Sequence, residues 1–309
     1  MKKIALLALI CVFLISCSLP FDITWKTPAS VETAAPVTQA PATEAVPTAA
    51  PTEPPLPTAA PTEPAFVGVE KNLGGVYMVL PPCLAADVSG IIVNAVPYDE
   101  MNGPMAYYPQ NRKISFQGYP LSGSFFDPNG STSGGLTVYP VAEYVAMNEV
   151  IGDRLANLQN LLASHPANVE SVPMVSIFGA MPVFTAQIKY LDFQNGQGVR
   201  YLTEYAQYYA PVNNYDLFYS FQGLTADGNY WVSAILPVNA AYLQVSSENP
   251  AVPADGILAP TWENNPDFDA AMDAYYVEMI NKLNTTADGS FTPGLDCLDQ
   301  FIQSLQISD

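Results

Sequence analysis

Beyond residue 66 the apolar positions of this chain follow two periods. Val76 to Leu80 and Gly90 to Val96 are short, nearly unbroken apolar runs rich in β-branched residues; Pro81-Pro82 parts them, and both predict strands. Ile114 to Tyr119 and Leu136 to Tyr139 predict two more, with a loop over 125–135 between them. The period then lengthens. Tyr144, Met147, Ile151, Leu155, Leu158 and Leu162 recur at intervals of three and four, the stripe of one amphipathic helix. Gly152 within it costs up to about 1 kcal/mol relative to Ala. The helix should stop before His165-Pro166, because a residue preceding proline avoids the α region.

Two hairpins follow. Val183 to Phe193 pairs with Val199 to Gln207 across Asn195-Gly196-Gln197-Gly198, and Leu217 to Gln222 with Tyr230 to Leu236 across Asp227-Gly228. Asn-Gly and Asp-Gly offer the positive φ angles that tight hairpins need. Two helices end the chain. Asn265 and Thr292 each precede a proline and are the expected caps, with Pro266 and Pro293 at the first helical position. Asp267 and Asp269 then fall in a first turn, where the macrodipole favours negative charge. Phe268, Met272, Tyr275, Met279 and Leu283 form one buried stripe; Leu295, Leu298, Ile302 and Leu305 form the other. Strands come in hairpins and helices in separate blocks. The fold class is therefore α+β, an antiparallel β-sheet built from hairpins and packed with amphipathic helices.

The first residues are of another kind. Lys2-Lys3 precedes the apolar run Ile4 to Ile15, which is followed by Ser16 and Cys17. Charge, apolar run and small residue come in the order of a secretory signal, and the run falls short of the roughly 20 residues of a membrane span. Leu14-Ile15-Ser16-Cys17 resembles the lipobox of bacterial lipoproteins. The resemblance implies that residues 1–16 are a signal peptide cleaved before Cys17. It further implies that the Cys17 thiol takes diacylglycerol and the new amine a further acyl chain such as palmitate, which together anchor the protein to a bilayer. Ser18, rather than Asp, implies delivery to an outer membrane where the cell has one.

Residues 17–26 are then a lipidated N-terminus and 27–65 a linker. Ten of its 39 residues are Pro, most others are Ala, Thr and Val, and the octapeptide Pro47 to Pro54 recurs at Pro57 to Pro64. Such a segment buries no core; as extended polyproline II, at about 3.1 Å per residue, it would span roughly 120 Å. It is expected to be a disordered stalk, with Thr residues open to O-linked sugars, holding one globular domain (66–309) away from the membrane. Seven Lys and Arg in that domain face 24 Asp and Glu, a net charge of −17. That excess excludes nucleic acid, which needs a basic stripe, and disfavours an anionic lipid surface. Cys11 leaves with the signal peptide, so Cys83 and Cys297 remain as an even pair in an oxidising compartment. A bridge would close a loop of about 215 residues, worth roughly 5 kcal/mol; two separately buried thiols are the alternative.

Catalytic residues do not stand out. His165 is the single histidine, at a helix end where it would complement the dipole, and no G-x-S-x-G elbow accompanies it. No His/Cys cluster suits zinc. Asp127-x-Asn129-x-Ser131 opens like a calcium loop, but Val138 holds the position that needs an acid. Nothing implies a cofactor. Glycoside hydrolysis needs two carboxylates about 5–9.5 Å apart, and Glu143 with Glu149, Glu204 with Asp192, or Asp269 with Asp273 could supply them. Rings crowd the two hairpins, among them Tyr201, Tyr205, Tyr208, Tyr209, Tyr215, Tyr219, Tyr230 and Trp231. Rings so placed fall on both sheet faces. If one face is uncovered, Tyr201, Tyr205, Tyr219 and Trp231 form a platform for a sugar or peptide, with Arg200 able to hold a carboxylate. If both are covered, the rings are core, and Arg200 and Lys189 balance acids such as Asp192 and Glu204.

Gly198 to Leu202, Phe221 to Thr225 and Asp227 to Pro237, with Val138 to Val141 and Ser290 to Pro293, resemble a set of uncharacterised predicted lipoproteins. The resemblance implies no activity. The expectation is a membrane-anchored, extracytoplasmic, non-catalytic domain that binds a glycan, a peptide or another envelope protein. An extracytoplasmic hydrolase and a structural envelope component are the alternatives.

Overall fold

The computed structural model describes residues 66–97, 107–121, 134–176, 180–249 and 251–309. The signal peptide, Cys17, the Pro-rich linker and the loop at 127–131 lie outside the described residues. The strands are β1 (Val69–Leu73), β2 (Val76–Leu80), β3 (Asp87–Val93), β4 (Asn111–Gln117), β5 (Gly135–Pro140), β6 (Met181–Pro182), β7 (Ala186–Phe193), β8 (Gly196–Thr203), β9 (Tyr205–Ala206), β10 (Phe218–Thr225), β11 (Tyr230–Pro237), β12 (Asn239–Ala240), β13 (Phe291–Thr292) and β14 (Gln306–Ile307). The helices are α1 (Val141–Met147), α2 (Glu149–Ser164), α3 (Phe268–Thr285) and α4 (Leu295–Gln303). Seven strands form one sheet in the order β3-β4-β5-β11-β10-β8-β7, each pair antiparallel. The described part of the chain is α+β with mainly antiparallel sheets.

Alternation along the strands divides the sheet's residues between two cores. Leu202, Tyr219, Phe221, Val232 and Ala234 pack in one core with α3, α4 and the small sheet β1-β2-β14. Val199, Tyr201, Trp231 and Tyr139 pack in the other against Ile151, Leu155, Leu158 and Leu162 of α2. Both helical stripes predicted near the C-terminus are buried in the first core. Cys83 and Cys297 are joined in a disulfide, S–S 2.06 Å, which ties the turn after β2 to α4.

Several boundaries differ from the expected ones for local reasons. The predicted single helix is two, because Asn148 is extended (φ −160°) and its side chain accepts a hydrogen bond from Val150 N–H at 2.8 Å. Asn favours such a cap over a helix interior. His165 ends α2 in the left-handed region (φ 42°), and its ring stacks on Tyr190 at 4.2 Å. Asp267, not Asn265, caps α3, accepting from Ala270 N–H at 3.3 Å. Thr292 caps no helix: it belongs to β13, paired with Asn239, and its bond to Pro293 is cis. The first hairpin turns through Gln194-Asn195 alone, with Phe193 opposite Gly196 and no positive φ at either Asn195 or Gly196. The Asn195 side chain instead clamps β14, donating to Ile307 O (2.6 Å) and accepting from Ile307 N–H (2.9 Å). Gly198 serves close packing, since a Cβ there would lie 2.3 Å from the Phe221 ring. Gly228 does adopt the positive φ (74°) that the second hairpin requires.

One buried network binds α4 to the sheet. Arg200 on β8 is almost fully buried and meets Asp299 of α4 at 3.4 Å and Asp288 at 3.1 Å, while its guanidinium donates to Gln187 O. Asp299 also accepts from the Tyr219 hydroxyl (3.0 Å) and Lys189 Nζ (2.8 Å). Burial, and next the Asp299 charge, hold the Tyr219 hydroxyl well above its usual range. Gln187 sits in a bulge of the edge strand β7 (φ 54°), and its amide donates to Leu283 O and Thr286 O at the end of α3. A bulge and a covering helix end are two ways to close a sheet edge against further pairing.

Removing one partner of a buried ion pair strands the other's charge. Asp299→Ala should therefore cost about 3–5 kcal/mol, seen as a lower urea midpoint at unchanged slope. Replacing Arg200 by Met and Asp299 by Leu together should recover most of that. A single-variant loss below about 1 kcal/mol would show that α4 does not depend on the network.

Candidate functional site

The rings expected as a contact surface are interior. Tyr201 and Tyr219 are 0% exposed, and Trp231 and Arg200 are 2% exposed. Trp231 stacks on Tyr139 at 4.9 Å, within the core formed with α2. The segment around 172–176 closes over the same side: Arg154 of α2 donates to Met174 O (3.1 Å) and Ser176 O (2.7 Å), and Gln222 bonds Pro173 O (2.8 Å) and Val175 N–H (3.2 Å). Tyr205 is half-buried, edge-on to Phe218 at 4.8 Å, and burial raises its hydroxyl well above the usual range. A sheet apolar on both faces needs a layer on each, and it has them. The exposed-platform expectation for Tyr201, Tyr205, Tyr219, Trp231 and Arg200 is thus corrected: these side chains are packing. Arg200 and Lys189 do hold carboxylates, those of Asp299 and Asp288 rather than Asp192 and Glu204.

The proposed acid pairs do not converge in a cleft. Asp192 pairs with Gln197 at the hairpin tip, and Glu204 lies seven residues further along, about 23 Å at 3.3 Å per residue. Glu143 and Glu149 stand exposed on separate helices, and Asp269 and Asp273 stand exposed one turn apart on α3. Among the described residues no group of three or more His, Cys, Asp or Glu could hold a metal ion, and no helix is long and apolar enough to cross a membrane.

A shaped surface lies elsewhere. A groove of about 750 Å³ runs between the α1–α2 helices and the tips of both large hairpins. That is within the usual range for ligand pockets, about 300–1,000 Å³. Val141, Val145, Leu155, Leu162 and Leu224 give it aliphatic walls. Gly152 lines it too, and a Cβ there would come within 3.4 Å of Val145. Polar groups come from Gln159, Asp192, Gln197 and the β10–β11 turn, and no Lys or Arg lines it. Asp227 is committed to that turn: its carboxylate accepts from Thr225 Oγ1 (2.5 Å), Asn229 N–H (3.0 Å) and Asn229 Nδ2 (2.9 Å). Those bonds, the Thr225 hydroxyl foremost, hold its carboxyl below the ordinary range. Asn195 and Gln194 are likewise engaged, with Ile307 and with Gln303 O (3.0 Å). Asp192, Gln159 and Gln197, all exposed, remain for a ligand. Gly152, which reads on its own only as a helix weakness, the two hairpin turns, and Asp192, offered only as half of an acid pair, are the sequence signals that fall in this groove.

Glu204, just past β8, is buried with its carboxylate poorly satisfied: the Asn213 N–H lies near it, but neither oxygen has a hydrogen bond of good geometry among the described residues. Burial, and next the charge of Asp216, push its carboxyl well above the carboxylate range, partly offset by the Asn213 N–H. It lines no part of the groove. Because the folded pKa is raised, the native state holds a proton that the unfolded chain releases near pH 4.5. Stability should therefore decline as pH rises above about 4.5, until Glu204 ionises in the fold as well. Glu204→Gln should remove that decline and leave the variant on the order of 1 kcal/mol or more the stabler at neutral pH. Urea titrations from pH 4 to 8 read this directly, and identical slopes in the two proteins would refute it. No family model, curated protein or solved structure matches this chain.

Proposed function

We propose that this chain is an extracytoplasmic lipoprotein whose domain captures a short peptide of neutral or positive charge. The anchor is acylated Cys17, and the 27–65 segment is the stalk. The groove between α2 and the hairpin tips carries the reading: aliphatic walls for an apolar side chain, Gln159 and Gln197 for backbone groups, and Asp192 for a positive charge. The aromatic ring in its lining, Phe193, is buried, so a sugar lacks the exposed face on which it would stack. A hydrolase would bring two working carboxylates together. Here the oxygens of Asp227 are spent on its own turn, and Asp192 stands without a second acid free to act. Binding without turnover is the better fit.

The full chain in detergent micelles should show a thermal shift with some members of a panel of neutral and basic peptides. A ligand at 100 times its Kd adds about 2.7 kcal/mol, roughly 5–10 °C for a domain of this size. Ala156 is an exposed groove-lining position on α2, so Ala156→Trp should fill the groove and abolish the shift while leaving the starting melting temperature unchanged. Asp192→Asn should weaken basic peptides several-fold and spare neutral ones. Cleavage of a bound peptide would overturn the non-catalytic reading, and a shift with neutral oligosaccharides but no peptide would overturn the ligand class.

A further inference from the structure

An exposed aromatic cluster lies at the start of α3. Trp262 is 73% exposed and lies flat on Phe268, ring centroids 4.0 Å apart at 19°. Phe268 meets Tyr209 edge-on at 6.1 Å, and Tyr209 stacks on Tyr276 at 6.1 Å. Phe268 and Tyr276 are buried, and the Tyr276 hydroxyl is fixed to the backbone of Ala210 (2.8 and 2.9 Å). The inner rings therefore belong to the core and hold the outer ones in place. A large ring presented rigidly to solvent loses little conformational entropy when something binds it, which is why Trp and Tyr anchor interfaces.

The same patch is strongly acidic. Glu263 adjoins Trp262, and Asp267, Asp269 and Asp273 occupy the cap and first turns of α3. The Tyr209 hydroxyl donates to Asp273 at 3.2 Å. Burial, and next the charges of Asp273 and Asp269, hold that hydroxyl up, so ring and acids share one local field. Among the described residues none of the four acids is ion-paired with a Lys or Arg. Four carboxylates outweigh the roughly half positive charge of a helix N-terminus. None of these rings lines the groove beside α2, and an outward-facing stack of this kind suits the flat face of a partner.

We infer that the rings and carboxylates around Trp262 form a docking surface for a basic segment of a partner protein, with a Lys or Arg side chain over the outer face of Trp262 and its charge met by Glu263 and Asp269. Cation–π attraction and carboxylate pairing act together on such a side chain. The domain's net charge of −17 draws the same partner in from a distance and repels acidic ones. The chain's own Pro-rich stalk, which carries Glu53 and Glu63, is a poor occupant on the same ground. This inference is independent of the peptide groove, which is lined by other residues.

The test is fluorescence anisotropy with a labelled Arg/Gly-repeat peptide and its Glu/Gly counterpart, titrated with the full chain in micelles. Wild type should bind the Arg peptide, more weakly as salt rises, and ignore the Glu peptide. Trp262→Ala should lower affinity about 3- to 30-fold, the span of a cation–π contact, without a change in melting temperature because the ring is exposed. E263Q with D269N should lower affinity several-fold and flatten the salt dependence. Glu149→Gln, on α2, should change neither. Equal binding by wild type and the Trp262→Ala variant would place the Arg peptide in the α2 groove or in the diffuse negative field rather than on Trp262, and would overturn the inference. So would absence of binding, or a neutral oligosaccharide that competes at Trp262 where the Arg peptide does not bind.

Discussion

The contact between Arg200 and Asp299 decides what the rest of the domain can be. A guanidinium buried against a sheet face, one strand in from the edge, is tolerable only if carboxylates come to it. Asp299 comes on α4, Asp288 comes just before it, and the carbonyl of Gln187 comes from the bulged edge strand. Those three requirements place α4 across β7, β8 and β10, and the disulfide from Cys297 draws β2 in beneath the same helix. Tyr219 shares Asp299, so the ring chemistry of the second hairpin is spent on the same bond network. The first face of the sheet is closed before any question of ligand arises.

The second face closes by softer means. Its cover is α2, whose stripe packs on Tyr201 and Trp231, and a segment with no regular structure around 172–176. That segment carries backbone groups that a strand or helix would satisfy internally. Arg154 and Gln222 take that role from either side. At the hairpin tips the cover is incomplete, because Gly152 and Ala156 present almost no side chain there, and the space left is the groove. Its polar residues come from turns, and most are already occupied in holding those turns together. What remains selective is a small set on a rigid frame, which is how binding loops commonly sit on a scaffold.

Much of the architecture was legible in the sequence. Val76–Leu80 is a strand with the expected bounds, the stripes of α3 and α4 are buried as their spacing demands, and Asp227-Gly228 makes the turn its composition predicts. Two of the failures share one cause: a residue's local preference is outbid by a partner distant in sequence. Asn195-Gly196 has the composition of a tight turn, yet Asn195 is used to clamp Ile307, and the turn starts one residue earlier, at Gln194, and closes at Asn195. Thr292 has the profile of a cap, yet it pairs with Asn239 in a strand. Asn148 is the opposite case, a local cap signal masked by an apolar stripe that continues past it.

The candidate sites were the least legible part, for a reason rooted in burial. Ring-rich strands draw attention to themselves, but a strand that alternates rings on both faces is asking for two covering layers, and density of aromatics then marks the core. Trp262 stands in a stretch of Pro, Asn and acidic residues with no period at all, where sequence reasoning has nothing to count. Only the stack on Phe268 distinguishes it from any exposed residue of a loop, and that stack depends on α3 being capped by Asp267 one residue earlier. The same carboxylate thus serves the helix and the charge of the patch. An isolated exposed indole invites unselective association; one held flat against the core, among acids that keep like-charged molecules away, offers its face to cationic partners while discouraging that association.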